Sequence, residues 1–120
     1  MRAAGLGVVL AVLVADSAAA DATHGKQLFE QCAACHALES GKHGLGPSLA
    51  GVMGRKAAAL DEFRYSPPMK RAAITWTRET MGAFLADPQK EIPGNRMPFS
   101  GLPEAGDRED LLEYLMQAAK

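Results

Sequence analysis

The 120-residue sequence predicts an all-α chain with long loops. Three observations carry that reading. Apolar residues recur at helical spacing in segments that open on capping residues. No stretch alternates apolar and polar side chains as a half-buried strand would. Glycines crowd one long segment, at Gly41, Gly44, Gly46, Gly51 and Gly54, where a regular element would not tolerate them. With 48% hydrophobic and 22% charged residues the composition is that of a globular chain, not of a disordered segment or a coiled coil. Thirteen basic and fourteen acidic side chains leave a net charge of −1. That argues against nucleic acid as a main partner, because neutralising phosphates needs a surplus of Lys and Arg.

In chain order, residues 1–20 read as a cleavable export signal. Arg2 is a minimal positive start, Ala3 to Ala15 carries only apolar side chains and glycine, and Asp16, Ser17 and Ala18-Ala19-Ala20 end the segment on small residues. The apolar run is shorter than the roughly 20 residues a membrane span needs. Cleavage after Ala20 is therefore expected, leaving a single domain over 21–120 and placing it in the periplasm. The first helix starts near Asp21, with Ala22, Gly25, Leu28, Phe29 and Cys32 on one stripe. A short second helix opens at Ser66-Pro67, an N-cap followed by proline at the first helical position. A third runs from the N-cap Thr77 to about Ala86, stopped by Asp87-Pro88, with Trp76 and Met81 spaced as a hydrophobic staple. The last begins around Gly106-Asp107. Asp107, Glu109 and Asp110 suit its positive end, and its apolar side is Leu111, Leu112, Tyr114, Leu115 and Met116.

Export changes how Cys32 and Cys35 read. A disulfide is one possibility in an oxidising compartment, although so small a loop gains little from closure. Zinc is a second, but Cys32, Cys35 and His36 supply three ligands where structural zinc takes four. The third uses all three residues: Cys-Ala-Ala-Cys-His is the C-x-x-C-H attachment pattern of a c-type haem. On a helix, residues three and four apart share a face, so two thiols and an imidazole would meet the cofactor together. On these five residues alone the three chemistries remain open.

A six-coordinate electron-transfer haem needs a second axial ligand, usually Met where the potential must be high. The candidates downstream of the motif are Met53, Met69, Met81, Met97 and Met116. Met81 and Met116 lie in helical segments and read as core filler. Met97 lies in Ile92-Pro93-Gly94-Asn95-Arg96-Met97-Pro98-Phe99, a loop stiffened by two prolines and far enough from His36 to wrap around a cofactor. Met97 is the expected ligand.

With these residues in hand, the sequence resembles a class I c-type cytochrome, the group of mitochondrial cytochrome c and its short bacterial periplasmic relatives. The resemblance runs from about Gly25 to Ala118. Its pieces come in family order: Gly-Lys-Gln-Leu-Phe before Cys-Ala-Ala-Cys-His, then Gly46-Pro47-Ser48-Leu49, Gly51-Val52-Met53-Gly54-Arg55, Phe63-Arg64-Tyr65-Ser66 and Ile74-Thr75-Trp76. The proline-bounded Met97 loop and Arg108-Glu109-Asp110-Leu111-Leu112-Glu113-Tyr114-Leu115 complete the series. The resemblance implies three to five helices and long loops wrapped around one covalent haem c. It also implies a carrier of single electrons, not an enzyme.

The same resemblance implies roles for matching residues. Cys32 and Cys35 attach the haem, and His36 and Met97 ligate its iron. The Pro47 carbonyl orients His36, while Arg55, Tyr65 and Trp76 surround a haem propionate, where a buried charge needs donors. Gly25 and Phe29 cross the last helix at Leu111 and Tyr114, and His43 ties two loops together. His24 reads as an exposed residue near the first helix start. The implied partners are membrane oxidoreductase complexes, respiratory or photosynthetic, or periplasmic redox enzymes, met by a monomer with peripheral membrane contact at most. Lys26, Lys42, Lys90 and Arg96 would ring the haem edge, with Glu104, Asp107, Glu109, Asp110 and Glu113 away from it. Departures gather near Met97. Phe84 stands where the mitochondrial pattern has a tyrosine, Met69 where it has an asparagine, and Asn95 where it has a threonine.

Overall fold

The computed structural model describes residues 1–13 and 19–120 of the chain. Residues 1–13 are exposed and carry no regular secondary structure, while the expected cleavage signature at Asp16, Ser17 and Ala18 lies outside the described residues. No helix among the described residues is long and apolar enough to cross a membrane.

Five helices and no strands make up the described fold: α1 (Ala22–Ala33), α2 (Pro67–Arg71), α3 (Arg78–Ala86), α4 (Pro88–Glu91) and α5 (Ala105–Ala118). Local chemistry sets most of the starts. The Asp21 carboxylate accepts from the amides of Thr23 (2.9 Å) and His24 (3.2 Å), satisfying orphan donors of the first turn. Ser66 does the same for Met69, and Thr77 and Thr80 form a reciprocal capping box on α3. Asp87 has a double role. It ends α3, and its side chain caps α4 by accepting from Lys90 N at 3.2 Å. The Asp87-Pro88 pair, expected only to stop α3, thus also starts α4, with proline at the position whose missing N–H costs nothing. α5 begins at Ala105, slightly ahead of the expected Gly106-Asp107, and has no side-chain cap. Arg108 reaches back to the carbonyls of Leu102 (2.7 Å) and Pro103 (2.8 Å) and holds the entering chain.

The frame is the crossing of α1 and α5. Gly25 makes it possible: a Cβ there would run into the Asp110 carbonyl and stand 2.9 Å from Tyr114 Cβ. Phe29 packs beside it against Tyr114, ring centroids 5.4 Å apart. α3 closes on α5, and the shared core holds Met81, Phe84 and Leu85 with Leu111, Leu112 and Leu115. Arg78 adds ion pairs from α3 to Glu109 (2.6 Å) and Glu113 (3.0 Å) of α5. Such half-exposed pairs contribute little. Met116, expected in the core, is instead 49% exposed and receives a contact from Arg78 at its sulfur. The apolar face of α5 closes at Leu115 and Ala119, which leaves Met116 on the outer side.

The long connection between α1 and α2 is ordered by its own hydrogen bonds. Gly46 N donates to Cys35 O, Leu49 N to Ala37 O, and Ser48 N to His43 Nδ1. Further on, residues 54–57 pair with 74–76: Ala57 N donates to Ile74 O, Trp76 N to Arg55 O, and Gly54 N to Trp76 O. This short pairing brings Arg55 next to Trp76.

Candidate cofactor site

Between the α1–α5 frame and the loops lies a cavity of about 270 Å³. All eight expected site residues line it: Cys32, Cys35, His36, Pro47, Arg55, Tyr65, Trp76 and Met97. They come from the end of α1, the α1–α2 connection (Pro47, Arg55 and Tyr65), the α2–α3 connection (Trp76) and the Met97 loop, so only the tertiary fold assembles them. Phe29, Leu85 and Leu115 supply apolar wall. Cys32 and Cys35 are not bridged to each other, and burial pushes the Cys32 thiol above its ordinary value. Among the described residues, no cluster of three His, Cys, Asp or Glu side chains could hold a metal ion, so the zinc reading finds no support.

His36 Nδ1 lies 2.7 Å from the carbonyl of Pro47. A carbonyl only accepts, so Nδ1 carries the proton and Nε2 keeps its lone pair. Burial lowers the His36 basicity below its ordinary value and Arg55 adds to that, while the bond to Pro47 works against it. The ring is therefore a neutral, oriented donor of the kind a metal takes. Gly46 lies so close beside it that a Cβ would collide with the imidazole.

Opposite in chemistry is the polar corner. Arg55, half-buried, donates to the carbonyls of Ala50 and Ser48, each at 3.0 Å. Burial depresses its basicity, with Tyr65 countering. The Tyr65 hydroxyl is buried in the cavity wall and has no hydrogen-bond partner. A buried hydroxyl left unpaired is costly. A carboxylate entering the cavity would satisfy it beside a guanidinium. Two thiols, one oriented imidazole, a thioether, an apolar wall and a polar corner with an unpaired hydroxyl beside a guanidinium fit haem c.

Comparison with known proteins agrees. Residues 22–119 match the family described as Cytochrome c. The chain belongs to the cytochrome c family. Like other members, this cytochrome binds one covalently attached haem c and carries electrons; it is not an enzyme. It is 48% identical over 96 residues to cytochrome c2 iso-2 of Magnetospirillum molischianum, covering 80% of this chain and 96% of the relative. It is 41% identical over 110 residues to cytochrome c2 of Blastochloris viridis, covering 91% and 87%. Among solved structures, cytochrome cH from Methylobacterium extorquens superposes with a TM-score of 0.77 at 38% identity, over 81% of this chain and 98% of that one.

The cytochrome cavity also contains residues that the sequence did not single out for it. Phe63 and Phe99 line it from loops, where an aromatic has no helix face to assign it to a core. Met69 and Met81 line it as well, so three methionines reach the cavity, whereas Met53 and Met116 do not line it. Phe84 is buried against Trp76, centroids 5.1 Å apart. His43 accepts from Ser48 N at 3.1 Å within its own loop and its ring packs near Phe63, centroids 6.1 Å apart, while its Nε2, 4.0 Å from Glu62, is buried without a hydrogen-bond partner. His24 stands in the first turn of α1 with its side chain 40% exposed, as expected, but it has a partner that the sequence did not show. Its Nδ1 lies 2.8 Å from Asp110 Oδ2, tying α1 to α5. A lone histidine at a helix start carries no sign of a partner 86 residues away.

Proposed function

We propose that this cytochrome is a one-electron carrier of the periplasm in which His36 and Met97 are the axial ligands. The observation that supports this most is the convergence of all eight expected residues, spread from Cys32 to Met97, on one cavity. When bound, the haem supplies the redox chemistry, its iron alternating between ferric and ferrous states. The chain's own residues attach, orient and shield. Cys32 and Cys35 anchor the group through thioethers, Pro47 fixes the tautomer of His36, and Met97 contributes a thioether sulfur that favours a high potential. Arg55, Tyr65 and Trp76 hold a propionate.

The reading includes removal of residues 1–20 and a mature domain over 21–120. The Asp21 cap on α1 and a family match that begins at Ala22 support it. Asp21 N already donates to Asp110 Oδ1 at 2.7 Å, so cleavage after Ala20 would place a new ammonium group against a carboxylate. The partners are redox proteins, either respiratory or photosynthetic membrane complexes or periplasmic enzymes, met by a monomer touching membranes at most peripherally. Arg96 lines the cavity and Leu45 beside it is 84% exposed, which supports a docking face there. Exposed Lys26 and Lys90 would add charge to that face, while Lys42 already pairs with Glu39 at 3.6 Å. Steering depends on where such charges lie, not on their sum.

The test is the near-infrared spectrum of the ferric protein. A weak methionine-sulfur charge-transfer band in the wild type, lost in Met97→Ala, is the expected result. A band surviving that substitution would move the ligand role to Met69 or Met81. Its absence from the wild type would place the protein with haem enzymes or gas sensors that keep an open iron.

A further inference from the structure

We infer that Asn95 is the positioning residue for Met97: its buried side-chain amide bolts the Met97 loop to α4 and holds the Met97 backbone in the one place from which its sulfur can serve the iron. The inference rests on Met97 being the axial ligand. Asn95 is 6% exposed, one of three buried polar residues among the described residues, with Ser48 and Ser66. Its Nδ2 donates to the carbonyls of Pro88 and Ile92, both at 2.9 Å, which are end groups of α4 and its cap. Its Oδ1 accepts from Met97 N, also at 2.9 Å. The orientation of the amide follows from its neighbours: two carbonyls demand donors and one N–H demands an acceptor, and only an amide offers two donors and an acceptor from one short side chain.

The surroundings make this amide a hub. Asn95 N also donates to Ile92 O at 3.1 Å, and Ile92 itself is 3% exposed, so the near end of the loop is anchored in the core. From α4, Gln89 grips the outer side, donating to Asn95 O (2.9 Å) and accepting from Gly94 N (3.1 Å). Gly94 turns at φ +84°, which returns the chain toward α4. Beyond Met97, Phe99 N donates to Met97 O at 2.9 Å. Both backbone polar groups of Met97 are thus held, and the hold on its N–H comes from Asn95. A threonine, which the mitochondrial pattern carries here, has one hydroxyl and cannot make three such bonds.

The positioning claim predicts a loosened ligand rather than a loosened fold. Asn95→Asp keeps size and the acceptor but turns both donors into an oxygen facing two carbonyls. Asn95→Ala removes all three bonds. In the haem-loaded ferric protein both should admit cyanide about tenfold faster than wild type, the factor that corresponds to losing roughly one buried hydrogen bond. Both should also weaken the methionine-sulfur band and lower the reduction potential, while the haem stays attached. Leu112→Val, in the α3–α5 core and away from the cavity, serves as a variant that loosens the fold without touching the loop. Cyanide rates in the Asn95 variants no faster than in Leu112→Val would overturn the inference while leaving Met97 as ligand. If Met97→Ala itself leaves cyanide exclusion unchanged, the ligand assignment falls and this inference with it. Should the Asn95 variants not assemble, hydrogen exchange in the wild type decides: a protected Met97 amide supports the bond to Asn95, and one exchanging at the free-peptide rate overturns it.

Discussion

His36 and Pro47, eleven positions apart, are joined by a hydrogen bond of 2.7 Å from the imidazole Nδ1 to the proline carbonyl. Proline's fixed φ keeps that acceptor still. Gly46, just before it, leaves the ring room: a Cβ would stand 2.7 Å from Nδ1. One dipeptide therefore sets the tautomer and the location of the imidazole together.

Gly46→Ala follows directly. The added methyl must push either the ring or the loop, so the variant should yield less haem-loaded protein, and what forms should show a lowered potential. Haem content and potential, measured beside wild type, check this. Full loading at an unchanged potential would mean the ring has slack that the geometry does not show.

Gly25→Ala tests the frame. In an isolated helix the change stabilises by about 1 kcal/mol. Here the Cβ meets the Asp110 carbonyl, a backbone group that cannot turn aside. A net loss of about 3 kcal/mol in denaturant unfolding is expected, at the upper end of overpacking costs. A gain would show that α1 and α5 part easily.

The His24–Asp110 contact predicts a pH dependence. The bond to Asp110 is the main cause that raises His24 above 6.5, and the Asp21 amide followed by His24 holds Asp110 below 3.8. The contribution of His24 is complete below its unfolded value near 6.5 and is lost as pH rises through its elevated folded value. That of Asp110 is complete above 3.8 and is lost as pH falls through its depressed folded value. The thermal midpoint difference between wild type and His24→Gln should be widest between about pH 4 and 6.5 and shrink on the alkaline side. A difference flat across pH would assign His24 a packing role only.

Much of this was legible in the residues. Asp21, Ser66 and Thr77 announce their helices because a cap is a local bond, made within three residues. Cys32, Cys35 and His36 announce a cofactor for a similar reason, since the attaching groups are neighbours in the chain. Pairings between distant segments left no comparable trace. His24 meets Asp110 across the chain, and whether Met116 faces in or out depends on which side of α5 the rest of the fold covers, here the side of Leu115 and Ala119. Asn95 stands out in the sequence only as a departure beside Met97, since its three bonds exist only once α4 has formed from a dipeptide that looks like a stop signal. The identity of the cavity lining at Phe63 and Phe99 depends likewise on loop paths that no periodicity encodes.

The central claim, that Met97 closes the iron opposite in role to His36 and makes this cytochrome a carrier, is tested most directly by carbon monoxide binding to the ferrous protein in stopped flow. Wild type should exclude the gas or admit it only slowly, whereas Met97→Ala, with haem still held by Cys32 and Cys35, should bind it rapidly. Equal rates in the two proteins, fast or slow, would contradict the account.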